Sequence, residues 1–167
     1  MRIMIDTNIL FSAAVFHSQK INDMIEKIIE EHTLIICSYV VDELYRVVRR
    51  KKPNLVGAID LFLSKLSFEH VFSPKTIEGD KLFAIRDEDD YIILHTAIIE
   101  DVDLFITGDT DFYEVVIERP EILSPAEFLE TLARIERIEN GKAEMAGPFK
   151  TFDEYKAWVE ADDDDEV

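Results

Sequence analysis

The chain has 167 residues, 47% of them hydrophobic, which is enough for one compact domain with a core and short for two. Its 36 acids against 18 lysines and arginines give a formal charge of −18, a balance that excludes a coat protein binding nucleic acid through a generally basic surface. A single cysteine, Cys37, excludes an internal disulfide, no apolar run approaches the roughly 20 residues that span a bilayer, and no secretory pattern opens the chain, so a cytoplasmic setting with no membrane partner is expected.

In chain order, "RIMI" (2–5) reads as a short apolar strand and is followed directly by Asp6. Helical spacing covers roughly 19–31, then "TLIIC" (33–37) reads as a strand, and helices are expected over 39–51 and 54–66. "FEHVF" (68–72) is a third strand, 90–100 a further helix, and "LFIT" (104–107) a fourth strand. A last pair repeats the pattern, "EIL" followed by "SPAEFLETLARIERI", where Ser124 suits a helix cap and Pro125 the first helical position. Short apolar strands alternating with helices predict an α/β fold with a parallel sheet covered on both faces. Asn140-Gly141 reads as a helix stop, which divides the chain into a domain over 1–140 and an acidic extension over 141–167. That extension contains a short amphipathic candidate at about 152–160 and a run of four aspartates, and reads as a solvated terminus.

The acids at the strand ends carry the functional signal. In an open parallel sheet, sites form outside the carboxyl ends of the strands. Asp6 stands at one such end, just above the core, and Asp109 at another, after Gly108 in "LFITGDTDF". In the helix that begins near Ser38, Val40, Val41, Leu44, Val47 and Val48 form one apolar stripe; Asp42 falls opposite its centre and Glu43 at its margin, so Glu43 can face a site while Asp42 faces water. Asp90 shares a face with Ile93, Leu94 and Ala97, whereas Asp87 and Asp89 suit the helix's first turn, where the dipole favours acids; the same dipole is an alternative account of Asp90. His95 has no second histidine or cysteine at ligand spacing and reads as a packing or surface residue.

Four carboxylates without a Cys/His set select a hard cation, Mg²⁺ or Mn²⁺, over Zn²⁺. Clustered carboxylates repel one another, and a divalent ion resolves that conflict, activates water and stabilises charge on a phosphodiester. Against the acidic background, "RVVRRKK" (46–52) gathers Arg46, Arg49, Arg50, Lys51 and Lys52 into a stripe that can meet a polyanion locally; the alternative is a solvated helix face.

With those residues placed, the chain resembles PIN-domain proteins, the nuclease family that includes VapC-type toxins of toxin–antitoxin modules. The resemblance rests on "IDTNIL" (5–10), "SYVVDELYRVVRR" (38–50), "RDEDDYIILHTAI" (86–98) and "LFITGDTDF" (104–112), in the family's order, and covers about residues 1–130. "TGDTDF" is similar to the TGDxDL ending of one PIN subgroup. The resemblance implies a Rossmann-like α/β/α sandwich and a Mg²⁺- or Mn²⁺-dependent endoribonuclease. It further implies catalytic, metal-binding roles for Asp6, Glu43, Asp90 and Asp109, a fifth metal-binding acid at Asp111, and supporting roles for Thr7, Asn8 and Thr107. RNA is the implied substrate, an antitoxin protein the implied partner, and a homodimer the implied assembly. The acidic balance and the segment after residue 140 depart from a minimal toxin of this kind.

Two other functions fit parts of the pattern. A catalytically inactive PIN-like binding or scaffold protein would keep the fold and the acidic pocket without cleaving RNA. A phosphatase or receiver-like phosphoacceptor would also use acids at strand ends, but the chain lacks a second acid two residues after Asp6 and a clear lysine at a later strand end.

Overall fold

Ile3, Met4 and Ile5 are all fully buried, and this explains why the first strand, β1 (Arg2–Ile5), reads as a continuous apolar run with no alternation: it lies in the middle of the sheet with both faces covered. The computed structural model describes residues 1–77 and 81–139, and the chain divides into two compact units, Met1–Pro125 and Ala126–Val167. All strands among the described residues fall in the first unit.

Two helices, α1 (Thr7–Phe16) and α2 (Gln19–Glu31), lead from β1 to β2 (Thr33–Cys37). From β2 the chain passes through α3 (Ser38–Lys51), a single 3₁₀ turn at Pro53–Leu55 and α4 (Val56–Lys65) to β3 (Glu69–Val71). Then α5 (Glu88–Ile99) crosses to β4 (Leu104–Ile106), and a 3₁₀ turn at Thr110–Glu114 precedes β5 (Glu121–Leu123). The five strands are parallel in the order β3-β2-β1-β4-β5, with Met4 paired to Ile35 on one side and to Phe105 on the other. The order reverses at β1: β2 and β3 build outward on one side, and the chain then crosses to place β4 on the other. Such a switch opens a crevice above the carboxyl ends of the two strands that flank it, here β1 and β4. Asp6 and the Thr107–Asp109 turn stand at those two ends.

The α/β expectation holds, with one element added. No helical spacing marks residues 7–16, yet α1 occupies them and buries Thr7, Ile9, Leu10, Ala13 and Ala14. "TNILFSAAVF" is apolar on nearly every side, so it has no polar stripe from which a period could be read. By contrast α2 buries Met24, Ile25 and Ile28 on one clear face. His17, at φ 49°, adopts the left-handed conformation that closes α1. Helix α6 runs over Pro125–Glu139, all but its first residue in the second unit. The acidic extension over 141–167, with its candidate helix at about 152–160, lies outside the described residues. No helix among the described residues is long and apolar enough to cross a membrane.

Candidate functional site

The first residue of the site is made by the junction of β1 and α1. The backbone N–H of Asp6 extends the pairing with β4 by donating to the Ile106 carbonyl at 3.0 Å, and the Asp6 carbonyl accepts from Ile9 and Leu10 at 3.1 Å to start the helix. Its side chain is the N-cap, with Oδ1 accepting from the Thr7 N–H at 2.6 Å. Oδ2 accepts from Asn8 Nδ2 and from Thr107 Oγ1, both at 2.7 Å. The carboxyl is therefore only 5% exposed, deeper than its expected place just above the core, because α1 starts without an intervening loop and closes over it. Burial raises its pKa to about 6; the hydrogen bonds from Thr107 and Thr7 oppose that rise, and the charges of Glu43 and Asp109 add to it.

Thr107 is fully buried and joins two acids. Its hydroxyl donates to Asp6 and accepts from the Asp109 N–H at 3.0 Å. Asn8 closes the same junction, donating to Asp6 while its Oδ1 accepts from the Gly108 N–H at 3.2 Å. Asp109 in turn caps the 3₁₀ turn, with Oδ1 accepting from the Asp111 N–H at 3.0 Å. Asp111 is held by Arg86, whose Nη2 lies 2.6 Å from its Oδ2. Arg86 does not stand out in the sequence, since its partner lies far along the chain in another element.

From α3, Glu43 is half-buried and its Oε2 accepts from Thr7 Oγ1 at 2.5 Å, while Asp42 is exposed on the other side of the helix. From α5, Asp87 is the N-cap, accepting from the Asp89 N–H at 2.9 Å, and Asp90 sits in the first turn. A helix N-terminus favours the charged form of an acid. The Asp90 pKa nevertheless rises, to about 7, so burial and the neighbouring charges of Asp109, Asp87, Asp6 and Glu43 outweigh the dipole. Asp6, Glu43, Asp90 and Asp109 thus come from four different elements into mutual electrostatic range at the switch point. The ion pairs among the described residues supply none of the four with a basic partner.

As the side chains stand, no group of three or more His, Cys, Asp or Glu among the described residues is gathered closely enough to hold a metal ion. The chemistry of the donor set nonetheless suits a hard divalent cation: every donor is a carboxylate oxygen, and both oxygens of Asp90 together with Glu43 Oε1 and Asp109 Oδ2 are not committed to the hydrogen bonds that fix Asp6. His95 stands apart from this cluster. It stacks on Tyr91 with ring centroids 5.7 Å apart, as a packing residue does, and its Nδ1 is buried without a partner.

The four basic residues of α3 and Lys52, which caps its end, are exposed. Arg46 leans toward α5, with Nη1 3.5 Å from Asp89 Oδ2 and its guanidinium 5.6 Å from the Tyr39 ring centre. Arg49 lies 5.3 Å from the Tyr45 ring centre, and Arg50, Lys51 and Lys52 continue the stripe to the helix's C-terminal end, where the dipole favours cations.

Residues 3–118 match the family model of the PIN domain. Among solved structures, the chain is similar to that of VapBC2 from Rickettsia felis bound to a DNA fragment from their promoter, with a TM-score of 0.57 and 22% identity over 74% of this chain and 98% of that one. A weaker likeness, with a TM-score of 0.45 and 11% identity over 66% of this chain and 92% of the other, is to VapC20 of Mycobacterium tuberculosis, a sarcin-ricin loop cleaving toxin. No curated protein matches the sequence. The first likeness is one of fold.

Proposed function

The chain belongs to the PIN-domain family, and from that premise we propose that it is a metal-dependent endoribonuclease, the toxin component of a toxin–antitoxin module, hydrolysing RNA phosphodiester bonds. The observation that carries the reading is the electrostatic coupling of Asp6, Glu43, Asp90 and Asp109 at the β1/β4 switch point, four acids that no ion pair among the described residues neutralises. Asp6, Glu43, Asp90 and Asp109 would hold Mg²⁺ or Mn²⁺, with Asp111 available from the adjacent turn once released by Arg86. The ion, when bound, supplies Lewis acidity toward water and the phosphate.

The chain's own residues do the rest. Thr107 and Asn8 fix the Asp6 carboxylate, and Thr7 orients Glu43, so two acids are set in place before any ligand arrives. Asp90, whose pKa burial and the neighbouring acids raise to about 7, would give up its proton as a cation fills the site. Arg46, Arg49, Arg50, Lys51 and Lys52 would contact the RNA backbone, offsetting a surface whose overall charge repels it. An antitoxin protein would be the natural partner, and a cytoplasmic homodimer the working assembly.

The test is cleavage of mixed structured and unstructured RNAs in Mn²⁺ by the parent protein beside Asp6→Asn and Asp90→Asn. Cleavage lost in both variants, with folding retained by circular dichroism, is the expected result; equal cleavage by all three would mean a contaminating nuclease and overturn the assignment. One observation favours a second reading, a catalytically inactive PIN-like binding protein: both Asp6 oxygens are already engaged by the chain's own donors. No cleavage with either ion, together with stable partner binding, would establish that reading instead.

A further inference from the structure

Beside the acidic site, on the outer edge of the sheet, the chain builds a second feature that the metal chemistry does not use. A cleft of about 550 Å³ lies between the start of α3, the segment after β3 and α5, and Tyr39, Asp42, His70, Phe72, Ser73 and Lys75 are among the residues that line it. Its size falls within the range of small-ligand sites. Two reciprocal hydrogen bonds fix its wall: the Ser73 N–H donates to Ser38 Oγ at 3.0 Å, and the Tyr39 N–H donates to Ser73 Oγ at 3.3 Å. These bonds tie the residues after β3 to the first turn of α3, so the cleft has a set shape.

Phe72 is 76% exposed at the cleft, so its ring face is open to a ligand. It belongs to a ladder on one face of the edge strand. Phe68, His70 and Phe72 alternate along the chain, with ring centres 6.4 Å and 5.0 Å apart and edge-to-face geometry. The ladder leaves the Phe72 ring available for stacking. Lys75 and Asp42, both exposed, supply a cation and a carboxylate at the same cleft.

The cleft adjoins the acidic site through the same two helices. Asp42 precedes Glu43 on α3, Ile92 lines the cleft two residues after Asp90 on α5, and Tyr39 lies under Arg46, which reaches Asp89. A polyanion drawn along Arg46 toward the acids would therefore pass the cleft. Resting on the ribonuclease reading, we infer that this cleft is a nucleobase subsite for single-stranded RNA: Phe72 stacks on one base, Lys75 meets its phosphate, and Asp42 accepts from the amino group on the base's pairing edge. Single strands are specified because the bases of a duplex are stacked and turned inward, while an unpaired base can be laid on an aromatic ring. The carboxylate gives the subsite a preference: guanine, cytosine and adenine present an amino group, and uracil presents none.

The experiment uses pentanucleotides carrying one 2-aminopurine, bound to the Asp90→Asn full-length protein so that the RNA is not cut. Stacking quenches 2-aminopurine, so binding should lower its fluorescence. Phe72→Ala should abolish the quenching and weaken binding about tenfold, the loss expected from one stacked base. Asp42→Asn should erase a preference for cytidine over uridine pentamers, and Val116→Ala, which trims an exposed apolar side chain elsewhere, should change neither. Quenching and affinity unchanged in Phe72→Ala overturn the subsite, and leave the ribonuclease reading standing if cleavage by the parent still depends on Asp6. A Phe72→Ala protein with unchanged RNA binding but lost self-association in sedimentation assigns the face to a second copy and overturns the subsite. A parent protein that neither binds the pentamers nor cuts RNA overturns both.

Discussion

At the scale of single residues, the two acids with raised pKa values set how the protein responds to pH. Folded-state values of about 6 for Asp6 and about 7 for Asp90, against an ordinary 3.8, mean that the folded chain holds these protons more tightly than the unfolded chain does. The resulting stabilisation is fully present below the ordinary carboxyl range and is lost as pH rises through 6 and 7. Thermal unfolding in EDTA should therefore occur at a higher temperature at pH 5 than at pH 8, and Asp90→Asn should flatten that difference; a pH dependence identical to the parent's would remove Asp90 from the account. At pH 8, Mg²⁺ or Mn²⁺ should restore stability by linkage, and Asp109→Asn should weaken the metal response while Glu26→Gln, an exposed site on α2, leaves it intact. Thr107→Val keeps the shape and deletes the hydroxyl that serves both Asp6 and Asp109, so it should cost about 1–3 kcal/mol in urea unfolding, the range for stranding a buried polar partner. The four acids were legible in the sequence because each is marked locally, by the end of an apolar strand or the margin of a helical stripe. The pairs Arg86–Asp111 and Arg46–Asp89 were not, since they join residues that only the fold brings together.

At the scale of elements, the strands were legible because a buried parallel strand is a short apolar run between polar ends, and β2 occupies the whole of "TLIIC". The amphipathic helices α2 and α3 declared themselves by their buried stripes. Helix α1 did not, because a helix covered on most sides resembles any other apolar stretch, and its cap, Asp6, reads from sequence as a site acid as readily as a cap. This double role ties the site to the helix: the group proposed to hold an ion also starts α1. On α3, the division of labour follows from one helix having two sides. Glu43 reaches Thr7 on the inner side while Arg50 and Lys51 stand exposed at the far end. Reversing those two charges, Arg50→Glu with Lys51→Glu, should leave the metal response unchanged and weaken RNA association. The plot of log K against log salt should become shallower by about 1.4, the loss of two single-strand phosphate contacts. An unaltered slope, measured by fluorescence anisotropy across a salt series, would reduce the stripe to a solvated helix face.

At the scale of the whole molecule, the question is how a chain of charge −18 approaches a polyanion at all. Part of the answer is local, since phosphate contacts depend on nearby cations more than on distant acids once the separation exceeds the screening length, about 10 Å at 0.1 M salt. The stripe on α3 and an ion held by the four acids would both make the local potential more positive where the proposed RNA substrate would sit. The rest of the answer lies in how the negative charge is distributed. Residues 148–167 carry eight acids and two lysines, a net −6, so a third of the excess resides in the last 20 positions. Sequence alone gives that segment a second property, since Phe149, Phe152, Tyr155 and Trp158 precede the run of aspartates and provide apolar groups beside a polyanion. A chain that carries its own polyanion competes with RNA for the same cations, and the competition strengthens as salt falls because screening weakens. Ending the chain after residue 147 should therefore raise RNA affinity and cleavage rate, by the largest factor at the lowest salt, and the difference should fade as ionic strength rises. Binding and cleavage measured for the full and shortened chains across a salt series, with thermal unfolding as the check on folding, decide the matter: a shortened protein that is folded and matches the parent at every salt concentration would show that the acidic end exerts no electrostatic control over the site.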